Sequence, residues 1–227
     1  MNIRTDHPLA LDSVDHLVPR GTMRDSSVSP AFNRKLFAFG VPSVLDLGCA
    51  GGGMVESILN DGGLAVGVEG SDYSRKAQRA AWGTIPDSLF TADITQPFTI
   101  YDRRGLNQWF TVITAWEFFE HIPEERLAKV FHNIERHLSR DGGLLIVSIA
   151  TIPDEEDGHS WHPTIQPQEW WLDVYKRHGY RLDATLTDYF DPDWVRGPVT
   201  GNTSSLCGVF RRTRQGQPSA RGTLAAE

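Results

Sequence analysis

Two carboxylates and an imidazole follow an apolar run near the middle of the chain. Glu117, Glu120 and His121 are spaced i, i+3 and i+4, so a helical turn would point all three side chains the same way. Carboxylates and an imidazole can act as general acids and bases, and both are also common metal ligands. The spacing therefore predicts a reactive centre here, with Phe118 and Phe119 turned towards the core.

A second group of residues forms a buried strand that opens into a glycine-rich loop. The run VLDLGCAGGG places Asp46 in the strand and Gly48, Ala50 and Gly52 in the loop. Glycines let a backbone turn tightly and approach a ligand closely, and the start of the following helix offers free N–H groups. The buried acid needs a partner, which a ligand amine can supply. Ala50 breaks the spacing of dinucleotide-binding loops, so a nicotinamide enzyme is a remote alternative.

Acidic residues also lie at the ends of the next two predicted strands. Glu69, followed by Gly70, ends LAVGVE, and Asp93 with Ile94 ends SLFTADI. A carboxylate at such a strand end can accept both ribose hydroxyls of a nucleoside. Asp93 can accept from an adenine amino group while the N–H of Ile94 donates. The structural alternatives are a charge at a helix N-terminus for Glu69 and a surface turn for Asp93.

In their order and context these motifs resemble the class I S-adenosylmethionine-dependent methyltransferases. The resemblance covers about residues 40–150, and the strand layout extends it to about residue 212. It implies that the glycine loop holds the methionine part of S-adenosylmethionine, that Glu69 holds the ribose and that Asp93 lies beside the adenine. The implied cofactor-binding residues are Asp46, Gly48, Ala50, Gly52, Glu69, Gly70, Asp93, Ile94 and Trp116.

The E-x-x-E-H element resembles that of ubiquinone-pathway O-methyltransferases and small-RNA 3′-end 2′-O-methyltransferases, where it holds a divalent metal. A loop histidine completes that metal site in the RNA-modifying relatives, and His162 matches its placement. The implied ligands of Mg²⁺, Mn²⁺, Fe²⁺ or Zn²⁺ are Glu117, Glu120, His121 and His162. Many other class I members carry a similar Glu-His pair with no known metal, and His121 with Glu120 is then the expected catalytic pair.

Alternating strand and helix patterns predict the scaffold that positions these residues. The predicted strands are 43–47, 64–69, 88–94, 109–116, 143–150, 180–190 and 204–212. The predicted helices are 30–39, 52–59, 72–82, 123–139 and 169–179. This order predicts an α/β, Rossmann-like, doubly wound seven-stranded sheet that is mostly parallel with an antiparallel last strand.

We expect three parts along the chain. Residues 1–40 form an N-terminal extension of loop and one short helix, residues 41–212 form the methyltransferase domain, and residues 213–227 form a disordered tail. The polar segment 151–168 is long enough to act as a lid over the strand ends. Its Trp161 is a candidate for stacking on a flat substrate.

Composition limits the classes of function. The chain has 227 residues, with Lys+Arg 22 against Asp+Glu 29 and a formal net charge of −7, which disfavours long nucleic acid as a partner. Two cysteines indicate a reducing compartment, expected to be the cytoplasm. No apolar run approaches the roughly 18 residues of a membrane span.

These observations together predict O-methylation of a small metabolite or glycan hydroxyl. Three alternatives stay open: methylation of an amine, methylation of an RNA 3′-end ribose, and a catalytically silent subunit with the same fold. The sequence leaves the acceptor and the oligomeric state undetermined.

Overall fold

Seven strands form one sheet at the centre of the molecule. The computed structural model describes residues 1–197 and 205–213. The strands are β1 (Asn2–Thr5), β2 (Ser43–Leu47), β3 (Leu64–Glu69), β4 (Leu89–Thr91), β5 (Phe98–Tyr101), β6 (Val112–Trp116), β7 (Leu144–Ala150), β8 (Glu155–Glu156), β9 (His159–Ser160), β10 (Tyr180–Leu182) and β11 (Ser205–Arg212). The α-helices are α1 (Val14–Leu17), α2 (Arg20–Arg24), α3 (Pro30–Phe37), α4 (Gly53–Asn60), α5 (Tyr73–Lys76), α6 (Leu127–His137), α7 (Gln168–Arg177) and α8 (Ala184–Phe190).

The strand order of the main sheet is β10-β11-β7-β6-β2-β3-β4. Strands β7, β6, β2, β3 and β4 pair in parallel, and β11 pairs antiparallel with both β7 and β10. The predicted mostly parallel seven-stranded sheet is therefore confirmed. The chain runs outward from β2 through β3 to β4, and then starts again at β6 on the other side of β2. Ligands bind beside such a switch point, at the carboxyl ends of the strands.

Helix α6 shows how the sequence pattern fixes an element onto this sheet. Leu127, Val130, Phe131 and Ile134 repeat at helical spacing, and each is at most 3% exposed. The predicted helix at 123–139 is confirmed in shortened form, because the residues before Leu127 form a 3₁₀ turn. The apolar stripe packs into the larger of two core clusters.

The predicted helix at 72–82 is interrupted. Helix α5 ends at Lys76, since Gln78 and Ala80 both have a φ of +48°. Trp82, which is buried, donates from its indole N–H to the carbonyl oxygen of Ala50 at 2.8 Å. This long-range contact brings the chain back to the glycine loop. The helix that the local pattern predicts therefore does not continue to residue 82.

The predicted strand at 180–190 is wrong beyond its first three residues. Asp183 ends β10 and caps α8, because its side chain accepts a hydrogen bond from the N–H of Leu186 at 3.1 Å. Leu186 and Phe190 are buried at i, i+4 spacing. The alternation of apolar and polar residues therefore concealed a short helix with an N-cap.

The N-terminal residues 1–40, in which the sequence predicts one short helix, hold one strand and three helices. Strand β1 pairs antiparallel with β5, which the sequence did not predict, outside the main sheet. Residues 10–27 pass over the carboxyl ends of the central strands. They are held there by hydrogen bonds from Ala10 N–H to Gly70 and from Gly51 N–H to Asp25, at 3.0 and 2.9 Å.

Residues 214–227, which include nearly all of the predicted disordered tail, lie outside the described residues. Within the described residues, none of the helices combines the length and the apolar character needed to cross a membrane.

Candidate active site

A cavity of about 880 Å³ opens at the carboxyl ends of β2, β3 and β6. Residues 10–27, the turn after β6 and the segment 154–163 close it from the other sides. Most of the residues predicted to bind the cofactor line its wall, namely Gly48, Ala50, Glu69, Gly70, Asp93, Ile94 and Trp116. Asp46 and Gly52 are not part of this wall.

Glu69 presents a buried carboxylate to the cavity. One carboxylate oxygen accepts from the N–H of Ala50 at 2.8 Å, and the other accepts from the N–H of Ser71 at 3.1 Å. A carboxylate has about four acceptor positions, so two stay available for a ligand. Burial raises the pKa of Glu69, and the two backbone hydrogen bonds oppose that rise.

Asp93 has a similar arrangement at the end of the next strand. Its Oδ1 accepts from both the N–H and the hydroxyl of Thr95, at 2.8 and 2.7 Å. Its Oδ2 has no hydrogen-bond partner in the described part of the chain. The Asp93 side chain is therefore held in one orientation with an acceptor position left for a ligand.

The glycine loop is fixed by the protein itself. Gly48 has a φ of +72°, and a Cβ at this position would lie 2.7 Å from the ring of Phe118. Ala50 also has a positive φ, of +46°. Two N–H groups of the loop are already used within the protein: Gly51 donates to the carbonyl oxygen of Asp25, and Gly52 donates to that of Cys49 at 2.7 Å. The loop itself therefore offers close backbone approach, and its own N–H groups are engaged within the protein.

Asp46 and Gly52 have structural partners within the protein. The hydroxyl of Thr114 donates to the Asp46 carboxylate at 2.7 Å, so the buried acid does not require a ligand amine. Burial raises the pKa of Asp46 to about 7. Asp46 lines only a pocket of about 30 Å³ that shares Gly48 and Trp116 with the main cavity. Gly52 is required by packing, since a Cβ there would lie 2.6 Å from a methyl group of Leu89.

The turn after β6 does not place its three ionisable residues on one face. Glu117 has a φ of +48°, which separates it from the 3₁₀ turn that carries Glu120 and His121. Glu117 and His121 line the cavity, whereas Glu120 is fully buried beneath it. As predicted, Phe118 and Phe119 are buried, although Phe118 also contributes to the cavity wall.

Glu120 is hydrogen-bonded to the end of β7. Its Oε1 accepts from the N–H of Ala150 at 2.9 Å, and its Oε2 has no partner among the described residues. Burial and the nearby charge of Glu117 raise the pKa of Glu120 to about 8. This carboxylate therefore carries unsatisfied capacity for a proton or a cation.

His121 pairs with a residue that the sequence did not indicate. Its Nδ1 lies 3.0 Å from Oδ2 of Asp15, which is on α1. Burial acts to lower the pKa of His121, but the negative charge and hydrogen bond of Asp15 outweigh it. With the added charges of Glu120 and Glu117, the pKa rises to about 9. The imidazole side chain is 21% exposed, so it remains accessible from the cavity.

The segment 151–168 contains the hairpin β8–β9 and then packs onto the protein. His162 donates from Nδ1 to the carbonyl oxygen of Ile152 at 2.7 Å, and its ring centroid lies 4.8 Å from that of His121. Burial lowers the pKa of His162. Trp161 is 3% exposed, with the guanidinium of Arg20 over its ring at 4.2 Å, so it is not free to stack on a substrate.

Residues 10–27 are the part of the site that sequence reasoning missed. Asp12, Asp15 and Arg20 all line the cavity, and each has an ion-pair partner far along the chain. The segment has neither a regular apolar period nor a recognisable motif. No local signal could identify it, because its role depends on what it covers in three dimensions.

Comparison with known proteins relates this architecture to one family. The family described as "Methyltransferase domain" matches residues 20–191. An S-adenosylmethionine-dependent methyltransferase from Clostridium acetobutylicum is 13% identical, with a TM-score of 0.57 over 87% of this chain and 97% of that chain. No curated protein matches the sequence.

Two further solved structures share the fold. The mitomycin 7-O-methyltransferase MmcR is 14% identical, with a TM-score of 0.54, and the match covers 81% of this chain and 53% of that chain. The glycopeptide N-methyltransferase MtfA is 13% identical, with a TM-score of 0.50, and the match covers 81% of this chain and 91% of that chain. At these identities the likeness shows the fold alone.

Proposed function

The chain belongs to the family of methyltransferase domains, and from this we propose that it transfers the methyl group of S-adenosylmethionine to a hydroxyl group of a small metabolite or glycan. The observation that carries the proposal is one cavity with two chemically different ends. Glu69 and Asp93 line it at the ends of β3 and β4, and His121 with Asp15 lines it beside the turn after β6, two and three strands away in the sheet. The volume of about 880 Å³ lies near the upper end of the roughly 300–1,000 Å³ typical of small-molecule sites, which suits a cofactor together with a small acceptor.

The first end suits the nucleoside of the cofactor. Glu69 has two acceptor positions left, the number that two ribose hydroxyls require. The unpaired Oδ2 of Asp93 suits an amino group of the base. S-adenosylmethionine, when bound, supplies a methyl group on a positively charged sulfur. Gly48, which lacks a side chain, and Trp116 line the same cavity.

The second end suits proton removal from the acceptor. When a hydroxyl takes up a methyl group, the O–CH₃ bond forms, the S–CH₃ bond breaks and the hydroxyl proton must leave. Neutral His121 can accept that proton at Nε2, since Nδ1 is occupied by Asp15. The raised pKa of His121 makes it a strong base that is mostly protonated at neutral pH. The rate should therefore increase as the pH rises towards 9.

The same end also fits a divalent metal ion, which is the second candidate mechanism. Glu120, His121 and His162 offer one ligand atom each within 4.8 Å of one another, and Glu117 is outside this group. The Oε2 of Glu120, which has no partner among the described residues, suits a cation. Both histidines have their Nδ1 paired with an oxygen, a pattern common in metal-ligating histidines. A metal held there would lower the pKa of a bound hydroxyl.

The experiment is a screen for methyl transfer with labelled S-adenosylmethionine. Sugars, phenols, amines and short RNAs serve as acceptors, each with chelated protein and after addition of Mg²⁺, Mn²⁺, Fe²⁺ or Zn²⁺. We expect transfer to a hydroxyl acceptor that His121→Gln abolishes. His132→Gln, on the exposed face of α6, is the matched control. Full activity after chelation would exclude the metal mechanism and leave His121 as the base.

Binding measurements separate the remaining alternatives. Isothermal titration with S-adenosylhomocysteine should show binding, and its absence would contradict the proposal. Binding without transfer to any acceptor would indicate a catalytically silent subunit. Transfer only to amines or only to RNA would replace the proposed acceptor class. The net charge of −7 and the buried Trp161 both disfavour RNA.

A further inference from the structure

Residues 10–27 form a wall of the cavity that is tied to distant parts of the chain. Asp12 makes a bidentate ion pair with Arg126, at 2.5 and 3.1 Å. Arg20 pairs with Glu156 at 2.7 Å and also with Asp154. These contacts join the segment to the turn before α6 and to the hairpin β8–β9. The wall is therefore held across the acceptor end of the cavity.

Asp15 is fixed within this wall from two directions. Ser13 caps α1, and its hydroxyl accepts from the backbone N–H of Asp15 at 3.2 Å. The carboxylate of Asp15 reaches Nδ1 of His121 at 3.0 Å. The cap therefore sets the position of the carboxylate relative to the imidazole.

Several charged or titratable groups surround His121, and Asp15 is the one placed to orient it. Glu120 lies in the same 3₁₀ turn as His121, Glu117 comes just before that turn, and His162 packs against the ring edge of His121. Within the described residues, Asp15 is the only group that forms a hydrogen bond with the imidazole. This bond fixes the rotation of the ring and assigns the proton of the neutral form to Nδ1. Nε2 is left as the nitrogen available for chemistry.

We propose that Asp15 is the positioning residue of the acceptor site, which holds the His121 ring so that Nε2 serves the methyl acceptor. This inference rests on the proposed function of His121, and it assigns part of the reactive centre to the N-terminal segment. The role is the same whether Nε2 takes a proton or binds a metal ion, because in both cases a carboxylate on Nδ1 fixes the ring and increases the basicity of Nε2.

The first test is spectroscopic and needs no acceptor. A ring N–H that donates to a carboxylate gives a strongly downfield proton signal in NMR spectra at low temperature. We expect this signal in the wild-type protein and its loss in His121→Gln, which assigns it. Asp15→Asn should also abolish it, and Asp15→Glu should retain it at a shifted position. Asp173→Asn, which removes an exposed carboxylate paired with Arg177 on α7, should leave it unchanged.

The second test is kinetic and uses the acceptor found by the methyl-transfer screen. Asp15→Asn should lower kcat by about tenfold or more, as removal of a carboxylate behind a catalytic imidazole does elsewhere. KM for S-adenosylmethionine should change less than kcat does, because Glu69 and Asp93 keep their own hydrogen bonds to the protein. Asp15→Glu should recover part of kcat. Affinity for S-adenosylhomocysteine and the melting temperature show whether each variant is folded.

The two tests keep this inference separate from the proposed function. A downfield signal that survives in Asp15→Asn, or an unchanged kcat in that variant, would overturn the role of Asp15 while methyl transfer still stood. Failure of the wild-type protein to transfer methyl groups would instead contradict the proposed function. The spectroscopic test would then still decide whether Asp15 orients His121.

Discussion

Replacement of Glu69 tests the nucleoside end of the cavity most directly. Glu69→Ala removes a carboxylate that is 7% exposed and already accepts two backbone hydrogen bonds. If the remaining acceptor positions serve the ribose hydroxyls, the variant loses two charge-assisted hydrogen bonds to the cofactor. The affinity for S-adenosylhomocysteine should therefore fall.

The size of this effect follows from the number of hydrogen bonds lost. Each hydrogen bond to a charged group contributes about 1.5–3 kcal/mol, for a gross loss of about 3–6 kcal/mol. Water that enters the space left by the carboxylate can hydrogen-bond to the ribose hydroxyls and offsets about half of that. The net loss of about 1.5–3 kcal/mol corresponds to about 10- to 150-fold weaker binding.

The same substitution also affects the folded protein, so the assay must separate the two effects. The N–H groups of Ala50 and Ser71 lose their acceptor, at a cost of about 1–3 kcal/mol in the free energy of unfolding for each buried donor left unpaired. Isothermal titration should be performed well below the melting temperature of the variant. Glu56→Gln is the matched control, because Glu56 bonds to Thr84 on the exposed side of α4, away from the cavity.

Glu69→Gln provides a second measurement at nearly constant volume. It removes the charge and places an NH₂ group against one of the two backbone donors, so it should weaken binding in the same direction. Affinity within about twofold of the wild type in both variants, with each variant folded, would show that Glu69 does not contact the cofactor. The reasoning from its unused acceptor positions would then be refuted.

Three further predictions concern other parts of the molecule. Gly48→Ala should lower the free energy of unfolding by about 2–4 kcal/mol, because the position combines a positive φ with a close contact to Phe118. Gly62→Ala, at φ +89° with no described atom within 4 Å of its Cβ, should lower it by about 1–2 kcal/mol. Urea unfolding of both variants measures the difference. Burial lowers the pKa of His137 to about 4, and both ring nitrogens bond to backbone groups, so protonation opposes folding as the pH falls from 6.5 to 4. The stability advantage of the wild type over His137→Gln should therefore shrink by about 2 kcal/mol between pH 7 and pH 5, and a constant difference would contradict the assignment. In hydrogen exchange, the backbone amides of residues 152–160 should exchange faster than the amide of the buried Trp161, and their exchange rates should fall when cofactor and acceptor bind. Slow hydrogen exchange of these amides both with and without ligands would exclude a lid.

Local patterns in the sequence were sufficient for the sheet and for most of its helices. The stripe from Leu127 to Ile134 depends only on helical periodicity, and the strand that leads to Gly48 depends on an apolar run followed by turn residues. These elements can be predicted because residues close together in the sequence determine them. Prediction failed where a distant contact outweighed the local pattern, as with Trp82 beyond α5, and where a short capped helix resembled a strand at 184–190.

The candidate site also has a part that the sequence predicts and a part that it does not. That Glu69 and Asp93 line one cavity could be predicted from the sequence, since they lie at the ends of parallel strands whose carboxyl ends share one edge of the sheet. The three residues of the E-x-x-E-H turn could be identified but not oriented. The positive φ of Glu117 and the burial of Glu120 separate groups that a regular helix would have placed together.

The amino-acid sequence by itself determined the doubly wound sheet and the ionisable residues at its strand ends, because spacing and turn chemistry act over a few residues. Only the tertiary structure decided which side chains meet. His121 and Asp15 lie 106 positions apart, and Arg20 reaches Asp154 and Glu156 across a similar span. A contact of that kind leaves no periodic trace in either segment, because it exists only after the sheet has brought the two segments to the same edge.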